Sequence, residues 1–142
     1  MTNTDFANAY FNQAKSIHDE MVAHFSKKEW HLVVRRAQES CELILKGFLR
    51  LAGIEVPRLH DVSGLLLKER NRLPIILTQE MDRVISLSRH LRQERETSFY
   101  GDEEQELPPS MLYTEKDATE SKNDIQWLLS LIPPHPIKRG RS

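Results

Sequence analysis

Paired cysteines, clustered glycines, long apolar runs and a dominant charge are all missing from this chain of 142 residues. The lone cysteine, Cys41, has no partner for an internal disulfide, which fits a reducing compartment. No stretch approaches the roughly 20 apolar residues that span a bilayer, and no N-terminal run resembles a signal peptide. The expectation is a cytoplasmic protein without membrane attachment. Five scattered glycines cannot build a glycine-rich phosphate loop. His18, His24 and His31 lack cysteine or carboxylate company at metal-ligand spacing, so no metal and no cofactor are expected. A formal net charge of -1 gives no global pull toward nucleic acid or anionic membrane, and any such binding must come from a local patch. Aromatic residues, 7% of the chain, sit at core-type positions rather than alternating along a basic strand, which excludes an RNA-stacking sheet.

What is present is helical periodicity. With 39% hydrophobic and 29% charged residues the chain can bury one core, so a single domain over 1–134 is expected. The basic stretch 135–142, with Lys138, Arg139 and Arg141, lacks apolar periodicity and is predicted to be a flexible tail. Apolar residues at three- and four-residue intervals predict a first helix from Asp5 to Phe25. A second, from Glu29 to Gly53, places Val34, Ala37, Cys41, Ile44, Leu45 and Phe48 on one arc and Arg35, Glu39, Glu42 and Lys46 on another. Ser26 with Glu29 reads as its capping box, and Gly53 with Pro57 as its stop.

A short helix should begin at an Asp61 cap and carry Leu65 to Leu67 before Pro74. A fourth runs from a Thr78 cap through Arg95 toward Gly101, and a fifth starts after Thr114 and ends at Pro133. The expected fold is all-α: an antiparallel up-and-down four-helix bundle with an extra short connector helix. The segment from Phe99 to Tyr113, rich in Asp and Glu, is the one long loop, and loops of that length are commonly functional or mobile.

Each polar feature has two readings. Glu42 and Lys46, four apart, form either a solvated ion pair or the wall of a groove. Arg89, Arg92 and Arg95 recur every three residues; they suit a helix C-terminus electrostatically, and equally suit phosphate or carboxylate. Masking of these arginines by Asp102, Glu103 or Glu104 is a third reading. His60 and Asp61 are either a hydrogen-bonded site pair or a packing residue beside an N-cap. Cys41, on the apolar arc, is read as a small hydrophobe rather than a nucleophile.

The runs AQESCELILKGFLRLAG, PRLHDVSGLL, RQERETSFYGD and DATESKNDIQWLL, in that order across residues 5 to 132, resemble the HEPN domain (higher eukaryotes and prokaryotes nucleotide-binding). The family's Gln, Glu and Lys fall on Gln38, Glu42 and Lys46, its His-Asp on His60 and Asp61. Its helix-terminal arginine falls on Arg95 or Arg92, and its aromatic-small-Asp on Tyr100, Gly101 and Asp102. The resemblance implies a homodimeric helical bundle. It further implies a ligand-binding set of Arg92, Arg95, Tyr100, Asp102, Glu42, Lys46, His60 and Asp61. A non-catalytic nucleotide- or RNA-binding member is expected, with a minimal nucleotidyltransferase in a toxin–antitoxin pair as possible partner. Two alternatives stand beside it. One is a purely structural dimerisation module. The other is a metal-independent ribonuclease: its branch carries an arginine and a histidine with four to six residues between them, and Arg83 and His90 are the one formal match. With 12 arginines and six histidines, that match is what chance alone produces.

Overall fold

A computed structural model describes residues 2–56, 58 and 62–134. Its long helices are α1 (Asn3–Ser26), α2 (Trp30–Leu51), α5 (Met81–Tyr100) and α6 (Glu115–Ser130). Between α2 and α5 lie the short helices α3 (Val62–Lys68) and α4 (Ile75–Thr78), where the sequence suggested a single connector. The described residues are all-helical apart from loops, two 3-10 turns and one isolated antiparallel bridge between Asp102 and Leu107. No helix among the described residues is long and apolar enough to cross a membrane.

Helix α2 is the axis of the bundle, packing against α1, α5 and α6. Its apolar arc is broad enough for three neighbours, and Val33, Ala37, Ile44, Leu45, Phe48 and Leu49 are fully buried. The run α1–α2 is an antiparallel hairpin: Phe25 meets Trp30 at its closed end, Ser40 donates a hydrogen bond to the Ala14 carbonyl midway, and Phe11 meets Phe48 farther along. Gly47 sits where the two helices come closest, and a Cβ there would overlap the Phe11 ring. Helices α5 and α6 also run antiparallel, with the Arg83 guanidinium 3.8 Å from the Trp127 ring and the Tyr113 hydroxyl donating to Glu94.

Helix termini separate local rules that hold from those that neighbours override. Thr114 forms a complete capping box with Asp117, as its sequence suggests, and Thr2 forms another with Asp5. The box proposed for Ser26 and Glu29 does not form. Ser26 is the last residue of α1 and its hydroxyl donates to the Val22 carbonyl, while the Glu29 carboxylate faces His24 Nδ1 at 3.1 Å. The loop between α1 and α2 is so tight that Ser26 is absorbed into the first helix. Nor does Thr78 cap α5; it closes α4, its hydroxyl turned to the Ile75 carbonyl, because the chain turns again before Met81. Gly53, at φ 76°, does end α2: the amides of Gly53 and Ile54 bond the carbonyls of Arg50 and Leu49, a Schellman closure. The expected Asp61 cap and the 135–142 tail lie outside the described residues.

Candidate functional site: an arginine cleft between α2 and α5

Because α2 and α5 are antiparallel, the polar edge of α2 faces the C-terminal half of α5. The contact is pinned by Arg35, whose guanidinium donates to the Arg95 carbonyl at 2.6 Å, faces Glu39 at 3.4 Å and covers the Phe99 ring at 5.0 Å. Beside this pin the helices diverge. An inner crevice of about 30 Å³, lined by Gln38, Cys41, Glu42, Val62, Ser88, Leu91, Arg92 and Arg95, has room for a water-sized group only. It opens beside a cleft of about 680 Å³ lined by Arg35, Arg92, Gln93, Arg95, Glu96, Thr97, Phe99 and Tyr100. That volume is in the range of small-molecule sites.

Of the residues the sequence singled out, Arg92, Arg95 and Tyr100 line the cleft, and Glu42 lines the inner crevice that shares Arg92 and Arg95 with it. Lys46 stands behind Glu42, its ammonium 2.9 Å from the carboxylate, and the Gln38 amide donates to the same carboxylate at 3.3 Å. Asp102 lies around the corner, in a shallower hollow that shares Tyr100, Thr97 and Glu96 with the cleft. His60 and Asp61 fall outside the described residues, although Val62, the next residue, lines the crevice. The α5 arginine row splits: Arg89 Nε donates to the Ser63 hydroxyl on α3, at 3.3 Å, and leaves the cleft to Arg92 and Arg95. Arg35 and Phe99 are cleft residues that the sequence reading did not assign. Their signal was a tertiary one, since nothing local says that α2 meets α5 at that register.

The charge state of the site follows from its neighbours. Burial raises the Glu42 carboxyl pKa, but the Lys46 hydrogen bond and charge, the Gln38 amide and the Arg95 charge outweigh it, and the net shift is downward from 4.5. Glu42 is therefore ionised at neutral pH. A carboxylate depressed on folding contributes stability that is present above pH 4.5 and lost as pH falls through the lower folded value. Glu42→Gln is expected to reduce stability by less than about 1 kcal/mol at pH 7, as befits a partly screened pair. The difference from wild type should narrow in urea titrations as the pH is lowered progressively below 4.5; a gap that does not narrow would show that Glu42 acts by packing alone. Burial pushes the Cys41 thiol up to about 12, so it supplies no nucleophile to the crevice.

Among the described residues, neither Arg92 nor Arg95 has an ion-pair partner, whereas Arg35, Arg36 and Arg72 all do. Masking by the chain's own acidic segment does not occur: Asp102, Glu103 and Glu104 pair with neither arginine. Instead the segment is a closed turn. Asp102 and Leu107 exchange backbone bonds of 2.8 and 2.9 Å, and the Gln105 amide donates to the Asp102 carboxylate. The cleft thus offers two exposed guanidinia beside two exposed aromatic rings, Phe99 at 56% and Tyr100 at 62%. Those groups can bind an anion with a planar appendage; no described set of residues could hold a metal ion.

Arg83 and His90 lie outside this cleft: Arg83 meets Trp127 of α6, His90 lines a shallow hollow with Leu67, Asp82 and Arg89, and the charges of both act on the half-buried Asp124. Burial raises the Asp124 pKa against the opposing charges of Arg83 and His90, with Glu120 adding to the rise. The Arg83 guanidinium is engaged with the Trp127 ring. Compared with known proteins, the chain is matched by one family model, described as HEPN domain, over residues 7–133. No curated protein and no solved structure matches it.

Proposed function

The chain belongs to the HEPN domain family, and from that premise we propose that it is a non-catalytic module whose cleft between α2 and α5 binds the phosphate of a nucleotide or of RNA. The observation that carries this reading is that Arg92 and Arg95, without an ion-pair partner among the described residues, line a cleft that also exposes Phe99 and Tyr100. Guanidinium forks match phosphate oxygens in geometry as well as charge. An aromatic face beside them suits a base, because stacking tolerates any nucleobase. Glu42 restrains the inner wall, held in place by Lys46 and Gln38. Homodimerisation, and pairing with a nucleotidyltransferase, belong to the same reading as routes by which such a module is put to use.

Fluorescence anisotropy with a short labelled single-stranded RNA, and with a mononucleotide, tests it. Wild type should bind at low salt. Arg92→Ala/Arg95→Ala should weaken binding roughly 10- to 100-fold, since each charge-assisted bond contributes about 1.5–3 kcal/mol before screening. No binding at millimolar ligand, or equal affinity in the double variant, would sink the assignment. Running the recovered RNA on a gel separates the ribonuclease alternative: cleavage that His90→Ala abolishes would move the function to the Arg83 and His90 face.

A further inference from the structure

One group in the arginine cleft is out of place for an anion site. Among the described residues that line it, Glu96 is the one carboxylate, and it repels the phosphate that Arg92 and Arg95 attract. Its own chain does not neutralise it. Glu96 is exposed, and its side chain makes no ion pair or hydrogen bond with another described residue, although Arg92 stands four residues before it on α5. An arginine ahead of a glutamate at that spacing is the less favourable order for an intrahelical pair. The carboxylate is therefore left to meet donors that a ligand brings.

The helix decides which donors those are. Arg92, Glu96 and Tyr100 are spaced by four, so they follow one another along one face of α5 at about 6 Å per step. The order along the cleft is guanidinium, carboxylate, aromatic ring. A nucleotide runs in the same order: phosphate, ribose, base. Carboxylates recognise ribose through its hydroxyls in dinucleotide-binding folds, and the two oxygens of one carboxylate can accept from both members of a vicinal diol. An internal nucleotide of RNA has given up one hydroxyl of that pair to its phosphodiester, and an internal nucleotide of DNA has neither.

Resting on the phosphate-binding reading above, we propose that Glu96 selects a ribonucleotide with a free 2′,3′-diol. Both hydroxyls donate to its carboxylate while Arg92 and Arg95 hold the 5′-phosphate and Tyr100 covers the base. The ligand is then a ribonucleoside 5′-monophosphate or the 3′-terminal nucleotide of an RNA, rather than an internal stretch of strand. A bare phosphate, which brings no hydroxyl pair, is disfavoured by the same charge.

Isothermal titration calorimetry at low salt tests this, with adenosine 5′-monophosphate, its 2′,3′-dideoxy analogue and inorganic phosphate as probes. Wild type should bind the monophosphate roughly tenfold or more tightly than the dideoxy analogue, the scale of one charge-assisted hydrogen bond. Glu96→Ala should erase that difference by weakening the monophosphate alone, and should bind inorganic phosphate more tightly than wild type does. A merely structural role for Glu96 would not raise affinity for phosphate. Anisotropy with a short RNA ending in a free diol, and with the same RNA closed by a 3′-phosphate, identifies the source of the nucleotide. Weaker binding of the closed strand marks the RNA end; indifference to closure, with the monophosphate preference intact, marks the free nucleotide. Equal affinity of wild type for the two monophosphates, with binding still lost in Arg92→Ala/Arg95→Ala, overturns the diol assignment and leaves the phosphate site standing. Absence of binding by every probe removes both. A preference for guanosine over adenosine monophosphate that survives loss of the hydroxyls and disappears in Glu96→Ala places the carboxylate on the base edge, and overturns the diol assignment as well.

Discussion

Phe11→Ala is expected to destabilise the fold by about 3–5 kcal/mol, the range for a large aromatic removed from a close-packed core. The ring is fully buried, meets Phe48 edge to face at 5.4 Å, and lies against the bare backbone of Gly47. No side chain at position 47 can swing into the void, and the hairpin cannot simply close on it. It is held by the Ser40 to Ala14 bond on one side and by the Arg50 guanidinium on Phe6, 3.9 Å away, on the other. For a chain of this size the melting temperature should fall by about 6–20 °C, at roughly 2–4 °C per kcal/mol. Thermal or urea unfolding measures it. A loss below about 1 kcal/mol would mean that the ring does not fill the space between α1 and α2.

Gly101→Ala is the second large effect, and it arises from the backbone rather than from the core. Gly101 has φ 79° and ψ -161°, a conformation open essentially to glycine alone. An added Cβ would also collide with the Leu107 carbonyl oxygen, the acceptor of the Asp102 amide, and would press on Pro108 at 3.0 Å. The chain must either give up the Asp102 to Leu107 bridge or unwind the end of α5. The strain should cost about 1–3 kcal/mol globally. Locally the effect is larger, because the orientation of Tyr100 and of the acidic turn depends on this one residue. Limited proteolysis should show new cleavage between residues 101 and 113, with unfolding in urea shifted to lower concentration. Unchanged stability together with an unchanged proteolytic pattern would refute the strain argument.

The two substitutions also mark how far sequence reasoning reaches. Ala14 and Met21 were legible as core residues of α1 from their spacing, but Phe11 was not: the stripe read through Phe6, Ala9 and Tyr10 points to a neighbouring arc, and the packing against α2 buries Ala7 and Phe11 instead. The function of Gly47 was not legible either, because its need for a missing side chain comes from the ring of another helix. The same divide runs through the termini. Thr114 caps α6 as its neighbours Glu115 to Asp117 suggest, since the loop before it is free to adopt the capping geometry. Ser26 and Glu29 carry an equally good local pattern, yet a three-residue link between two packed helices leaves no turn in which to form it. At Gly101 the sequence showed only a small residue between an aromatic and an aspartate; its positive φ and its contact with Leu107 required the fold of the following turn.

For the candidate site, Arg92, Arg95 and Glu42 stood out by spacing and Tyr100 by the family resemblance; Arg92, Arg95 and Tyr100 line the cleft, with Glu42 in the adjoining crevice. Their pairing states were not readable. Arg89, Arg92 and Arg95 are equivalent in the sequence, but on α5 the first turns to Ser63 and the other two have no ion-pair partner among the described residues. Arg35 forms an intrahelical pair with Glu39, as four-residue spacing allows, and its bond to the Arg95 carbonyl, which makes it the pin between α2 and α5, had no local signal.

The sequence by itself determined the helical class, the apolar face of α2 and its glycine stop, because these follow from side-chain periodicity and local backbone chemistry within a few residues. The tertiary structure decided which charges meet. Ion pairing and exposure depend on the register of helices far apart in the chain, and that register is set by how Phe11, Gly47, Phe48 and their neighbours interlock in the core.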